Sequence, residues 1–182
     1  MGKSTLTGDN AKYVFDRDSG KEINVSSNVK ISVVNNLKDF KSFFNVPWIV
    51  YKDDENWVAP LWQEMKSFFK FKNPFWRHAE SRLFIAYKDG VAVGRIAAVI
   101  DSLLIKKEKQ DIGFFGFFEC IDNYSIASAL FDAAKDWLKS KDMSIMRGPV
   151  DARVDVRCGF LFEGSIETPY IFGSYNPSYY VD

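Results

Sequence analysis

Apolar residues along the chain change their spacing several times, and each change marks an element. In residues 12–25, Tyr13, Phe15, Ile23 and Val25 alternate in twos around Asp18-Ser19-Gly20, which predicts a small hairpin. Lys30-Ile31-Ser32-Val33-Val34 reads as a short strand. Asn35-Asn36 then offers a cap for a helix carrying Leu37, Phe40, Phe43 and Phe44. Pro47 is expected to interrupt that helix, because proline has no N–H and its ring crowds the preceding turn. A second helix is predicted to open at Pro60, to place Leu61, Met65, Phe68 and Phe69 on one face, and to end at Asn73-Pro74.

Residues 82–87 and 91–100 form two apolar runs joined by Lys88-Asp89-Gly90, a hairpin signal. Residues 106–111 are charged and read as a loop. Next, Ile112-Gly113-Phe114-Phe115-Gly116-Phe117-Phe118-Glu119 is apolar on both faces, as an interior strand must be, and its two glycines predict a bulge. Asp122-Asn123 can cap a helix in which Ile126, Leu130, Ala134, Trp137 and Leu138 recur at helical spacing, and residues 144–147 resume a strand. Strand, helix and strand in so short a span imply a right-handed crossover between two parallel strands. Beyond Gly148-Pro149 turn-forming residues dominate, and the chain reads mostly as loop.

Composition narrows the class. An apolar content of 47% with 17 phenylalanines over 182 residues fills one core without disulfides or metal. Charge balances at 24 basic against 24 acidic residues, so no overall field favours nucleic acid or an anionic membrane. Cys120 and Cys158 lack the number and spacing of a disulfide framework or zinc site, which favours a reducing compartment. Met1-Gly2-Lys3-Ser4-Thr5 leads into polar sequence, so no secretory signal is read, and the expected location is the cytoplasm. Gly2-Lys3-Ser4-Thr5 echoes the end of a phosphate-binding loop but lacks the strand and upstream glycine that such a loop needs. His78, the single histidine, reads as a structural hydrogen-bonding residue, and Cys120 as a buried thiol.

The order of elements, and the words Trp57-Val58-Ala59-Pro60-Leu61, Asn73-Pro74-Phe75, His78-Ala79-Glu80 and Val93-Gly94-Arg95-Ile96-Ala97-Ala98, resemble the GNAT superfamily of acyl-CoA N-acyltransferases. Within it, the similarity is to an uncharacterised prokaryotic group. Arg147-Gly148-Pro149, Cys158-Gly159 and Tyr175-Asn176-Pro177-Ser178-Tyr179-Tyr180 extend the match. The resemblance implies an α+β fold with a mixed central sheet flanked by helices. Residues 1–28 would form an N-terminal extension, and residues 29–182 a domain lacking the final helix and closing strands of a GNAT sheet. An exposed strand edge would then be open to pairing.

The resemblance also implies a site. Acetyl-CoA or another acyl-CoA would lay its pantetheine along Phe117 and Phe118 in the cleft where the parallel strands diverge. Its phosphates would sit on the turn Ile121-Asp122-Asn123-Tyr124-Ser125 at a helix N-terminus. The superfamily pattern there, Arg or Gln, two residues, Gly, one residue, Gly or Ala, is missing, and Asp122 adds a like charge. Glu119 would be the general base toward a small-molecule or peptide amine, directly or through water, or else a carboxylate that favours the helix N-terminus. Tyr179 or Tyr180 would protonate the leaving thiolate, or simply pack. Arg153 and Arg157 either bind an anion or pair with Asp151 and Asp155. No metal is called for. An acyltransferase and a noncatalytic module that keeps only the sheet both fit this sequence.

Overall fold

The computed structural model describes residues 23–26, 28–153, 157–171 and 173–181. A six-stranded sheet in sequential order is built from β1 (Ile23–Ser26), β2 (Val29–Val33), β3 (Ala79–Lys88), β4 (Val91–Asp101), β5 (Ile112–Cys120) and β6 (Ile145–Arg147). The first five strands pair antiparallel. Among the described strands only β5 and β6 run parallel, with Ile112, Gly113 and Phe114 opposite Ile145, Met146 and Arg147. Ile23 and Val25 lie in β1, which pairs with β2; the other arm of the expected N-terminal hairpin, Tyr13 and Phe15, lies outside the described residues.

The period-2 alternation of the strands divides the core between two faces. Leu83, Ile85, Ala97 and Val99 face α1 (Leu37–Val50) and α2 (Trp62–Phe68), where Phe40, Phe43, Phe69 and Trp76 fill the interior. Phe84, Ala86, Ile96 and Ala98 face α4 (Tyr124–Ser140), which buries Ile126, Leu130, Ala134, Trp137 and Leu138. Asn36 caps α1 through the Asp39 amide, and Asn123 caps α4 through the Ile126 amide. At the β3–β4 turn Asp89 (φ 50°) and Gly90 (φ 79°) both take the left-handed conformation of a tight hairpin.

Three boundaries differ from expectation. The helix expected from Pro60 to Asn73-Pro74 spans only Trp62–Phe68, and Leu61 stays exposed before it. The first half of the charged run at 106–111 is helical: α3 (Ser102–Glu108) is capped by Asp101, whose carboxylate accepts from Leu103 and Leu104, and it stops where Lys109 turns left-handed. Pro47 does not interrupt α1. Inside a helix it deprives the Phe43 carbonyl of its usual donor, and here Arg95 Nη1 from β4 supplies one at 3.3 Å. A tertiary contact thus offsets a local penalty.

Candidate functional site

The site begins with a bulge. Between Gly116, opposite Ala97, and Glu119, opposite Arg95, β5 carries one residue more than β4, and Phe117 takes φ 50°. That extra residue flips the strand's alternation. Phe115 faces α4, and strict alternation would send Glu119, four residues on, to the same side. Instead Phe117 packs with the α1 face, Phe118 turns to the α4 face, and Glu119 points to α1 and Arg95.

There Glu119 is only 7% exposed. Tyr51, the residue closing α1, donates its hydroxyl to Oε2 at 2.7 Å, and the Arg95 guanidinium lies 3.8 Å from Oε1. Tyr180 stands 3.4 Å from Oε2. Arg95 is itself 1% exposed, and its guanidinium lies 5.1 Å from the Phe43 ring centre. Removal from water pushes Glu119 up from 4.5 to about 7, with Arg95 and the Tyr51 hydrogen bond pulling the other way. Burial lowers Arg95, opposed by Glu119, and raises Tyr51, reinforced by Glu119. Trp57 stacks on Tyr51 at 5.1 Å, so one word of the sequence resemblance supports the hydroxyl that holds Glu119.

Beyond the third parallel pair, residues 148–151 stay against β5. Val150 N donates to the Phe115 carbonyl at 2.8 Å, and the Asp151 carboxylate accepts from Phe117 N at 2.6 Å. Gly116 permits this approach: a Cβ there would lie 1.9 Å from the Val150 oxygen. Past Phe117 the strand edge meets the tyrosine pair. Tyr179 donates to the Cys120 carbonyl at 2.8 Å, and the Tyr180 oxygen accepts from Cys120 N at 2.6 Å. A small cavity of about 40 Å³ remains beside Glu119, Asp151, Arg157 and Tyr180, room enough for water. Burial raises Asp151 and Tyr180, and pushes the Cys120 thiol up to about 12.

At the expected phosphate turn, the Asn123 side chain takes the Ile126 amide at 3.1 Å, Tyr124 is 86% exposed and Asp122 precedes the cap. Glu119 and Tyr180 are therefore brought together, whereas Tyr179 contacts backbone only one residue further on. Two members of the Glu119 cluster, Tyr51 and Arg95, were not singled out in the sequence. An arginine inside the apolar run of β4 was a signal, since a buried guanidinium needs partners. Tyr51, 68 residues from Glu119 in the chain, gave none.

His78 lies at the far end of β4 from this cluster. Its Nδ1 is 2.8 Å from Asp101 Oδ1, and the Phe75 ring stands edge-on to the imidazole at 5.3 Å.

No family model matches the chain. The sheet and helices superpose on an aminoglycoside acetyltransferase, meta-AAC0020 from an uncultured soil metagenomic sample, with a TM-score of 0.50 and 15% identity, covering 72% of this chain and 83% of that one. The protein thus has the α+β fold of the GNAT acetyltransferases, as the sequence resemblance implied. In sequence it is 39% identical to Escherichia coli (strain K12) protein YghO over 74% of this chain, and 33% identical to the bacterial ceramide synthase of Caulobacter vibrioides (strain NA1000 / CB15N) over 85%. The matches span 34% of the first relative and 41% of the second.

Proposed function

We propose that this chain is the acyltransferase-type part of a protein that passes an acyl group from acyl-CoA to a primary amine. The observation carrying this reading is the buried Glu119, turned by the bulge in β5 toward Arg95 and Tyr51, with a pKa lifted toward neutrality and a water-sized cavity beside it. A carboxylate in that range exchanges protons at neutral pH, and one water can relay a proton from an incoming ammonium. Acyl-CoA would approach along Phe117 and Phe118, its phosphates near residues 121–125, and Tyr179 would serve the leaving thiolate. The ceramide synthase relative supports amide formation with a lipid-like amine as the chemistry of the whole protein.

A second reading, a noncatalytic module, is favoured by one specific observation. Phe117 N–H and both polar backbone groups of Cys120 are already satisfied by Asp151, Tyr179 and Tyr180 of the same chain. A donor laid along that edge would have to displace them.

Calorimetric titration with acetyl-CoA separates the two, followed by detection of free thiol and amide with a primary amine present. Saturable binding and thiol release support the transferase. The absence of binding at millimolar ligand would defeat it for this chain and leave the module.

A further inference from the structure

On the α2 side of the sheet, at the start of β5, lies a cavity of about 510 Å³, within the range of about 300–1,000 Å³ typical of small-ligand pockets. Its walls are mostly apolar, from Phe68, Phe75, Leu104, Phe114 and Val150. We propose that this cavity holds a linear hydrocarbon chain, the tail of a medium- or long-chain acyl group brought to the site as its CoA thioester. The assignment rests on the acyl-transfer reading above for the carrier of the chain, and it leaves the reacting carbonyl at the bulge beside Glu119.

The course of β5 supplies the direction. On that reading the donor's phosphates lie near residues 121–125 and its pantetheine along Phe118 and Phe117, so whatever extends past the thioester runs on toward Phe114. That is roughly 10 Å further down the strand, at about 3.3 Å per residue. Phe114 lines the cavity. Phe68 lines it too and packs on the Phe117 ring at 6.1 Å, so the cavity adjoins the bulge. Residues 150–152 form the partition between the two: Val150 and Ala152 line the cavity, while the Asp151 carboxylate accepts from Phe117 N at 2.6 Å. A donor seated on the Phe117 edge must displace Asp151, and the same movement joins the cleft to the cavity.

The far end calls for no charged headgroup. His78 Nδ1 and Asp101 Oδ1 stand 2.8 Å apart, the same oxygen accepts from the Leu103 amide at 2.9 Å, and the Asn73 side chain accepts from the Phe75 amide at 3.0 Å. These polar groups of the lining are engaged with their own neighbours, and Arg153, which also lines the cavity, is exposed. An occupant therefore gains from the apolar walls, by about a factor of four in affinity for each methylene taken out of water. The acyl group of acetyl-CoA ends in a single methyl and is too short to reach them.

The test is calorimetry on the intact chain with acetyl-CoA, dodecanoyl-CoA, dodecanol and dodecanoate, the long-chain probes below their micellar concentrations. Dodecanoyl-CoA is expected to bind at least about a hundredfold more tightly than acetyl-CoA, and dodecanol to compete with it. Leu104→Trp, which fills the cavity, should weaken dodecanoyl-CoA at least about tenfold and leave acetyl-CoA unchanged. Leu103→Trp, beside it on the exposed side of α3, should leave both unchanged. Acetyl-CoA binding and thiol release with no gain for the longer chain would overturn the assignment in the unsubstituted chain, whatever the variants do, and leave acyl transfer standing. A gain kept in Leu104→Trp, a gain lost equally in Leu103→Trp, or dodecanoate bound at least about tenfold more tightly than dodecanol would overturn it as well. If neither thioester binds but dodecanol does, and weakens in Leu104→Trp, acyl transfer fails and the hydrocarbon site stands. If dodecanol does not bind either, both fail.

Discussion

Tyr51 and Glu119 meet at 2.7 Å across 68 residues of sequence, joining the end of α1 to the bulged end of β5. Because the phenol donates, it favours the charged carboxylate, while burial favours the neutral acid and prevails. Tyr51→Phe removes the shortest side-chain hydrogen bond to this carboxyl among the described residues, and should cost about 1–3 kcal/mol in denaturant unfolding at neutral pH.

The same carboxyl makes stability depend on pH. Its folded value, about 7, lies above its unfolded value of 4.5, so the folded state holds the proton more tightly. The stability it contributes is complete below pH 4.5 and is lost as pH rises through about 7, to a total of roughly 3 kcal/mol at about 1.4 kcal/mol per unit. Unfolding free energies of the protein and of Glu119→Gln, measured from pH 4 to 9, should diverge in that window. If Glu119 is the base, acyl transfer rises with pH through about 7, and the variant loses that limb.

Arg95 and Pro47 should be energetically coupled through the Phe43 carbonyl. Arg95→Met strips a partner from Glu119 and the donor from Phe43, and is expected to cost about 3 kcal/mol. In a Pro47→Ala background the restored helix N–H satisfies Phe43, so the cost of Arg95→Met should fall by about 1 kcal/mol. A double-mutant cycle by urea unfolding reads the difference. Strict additivity would contradict the rescue.

Gly116→Ala tests the closure of residues 148–151 on β5. The added methyl would lie 1.9 Å from the Val150 oxygen, so that segment must move and the Asp151 bond to Phe117 N must lengthen. A loss of about 1–3 kcal/mol is expected, together with faster hydrogen exchange at Phe117. Unchanged protection at Phe117 would contradict it.

The turn before α4 supports two opposed effects. Asn123→Ala removes the cap on the Ile126 amide and should lower stability by about 1 kcal/mol in thermal unfolding. Asp122→Asn removes a negative charge at the proposed phosphate position and should tighten acetyl-CoA by roughly 1 kcal/mol in calorimetry. Equal affinity would move the phosphates elsewhere.

Much of this molecule was legible in local pattern. Alternation in residues 82–100 and the turn Asp89-Gly90 specified β3 and β4. Asn36 and Asn123 marked helix starts, and the helical spacing from Ile126 to Leu138 led to a parallel return strand. These features depend on interactions within a few residues, which a linear reading can see. Pro47 misled that reading, because the donor that rescues its helix comes from β4, and the charged run at 106–111 misled it because the cap came from Asp101 before it.

What the sequence determined by itself was the kind and order of elements, the presence of a bulge near two glycines, and an acidic residue at the end of an interior strand. Only the folded chain decided which way that acid faces. One extra residue at Phe117 reverses the alternation and delivers Glu119 to Tyr51 and Arg95 rather than to α4. The physical reason is that a strand's pattern is periodic in two, so its phase beyond a bulge depends on where the insertion falls, and that is fixed by pairing with a neighbouring strand.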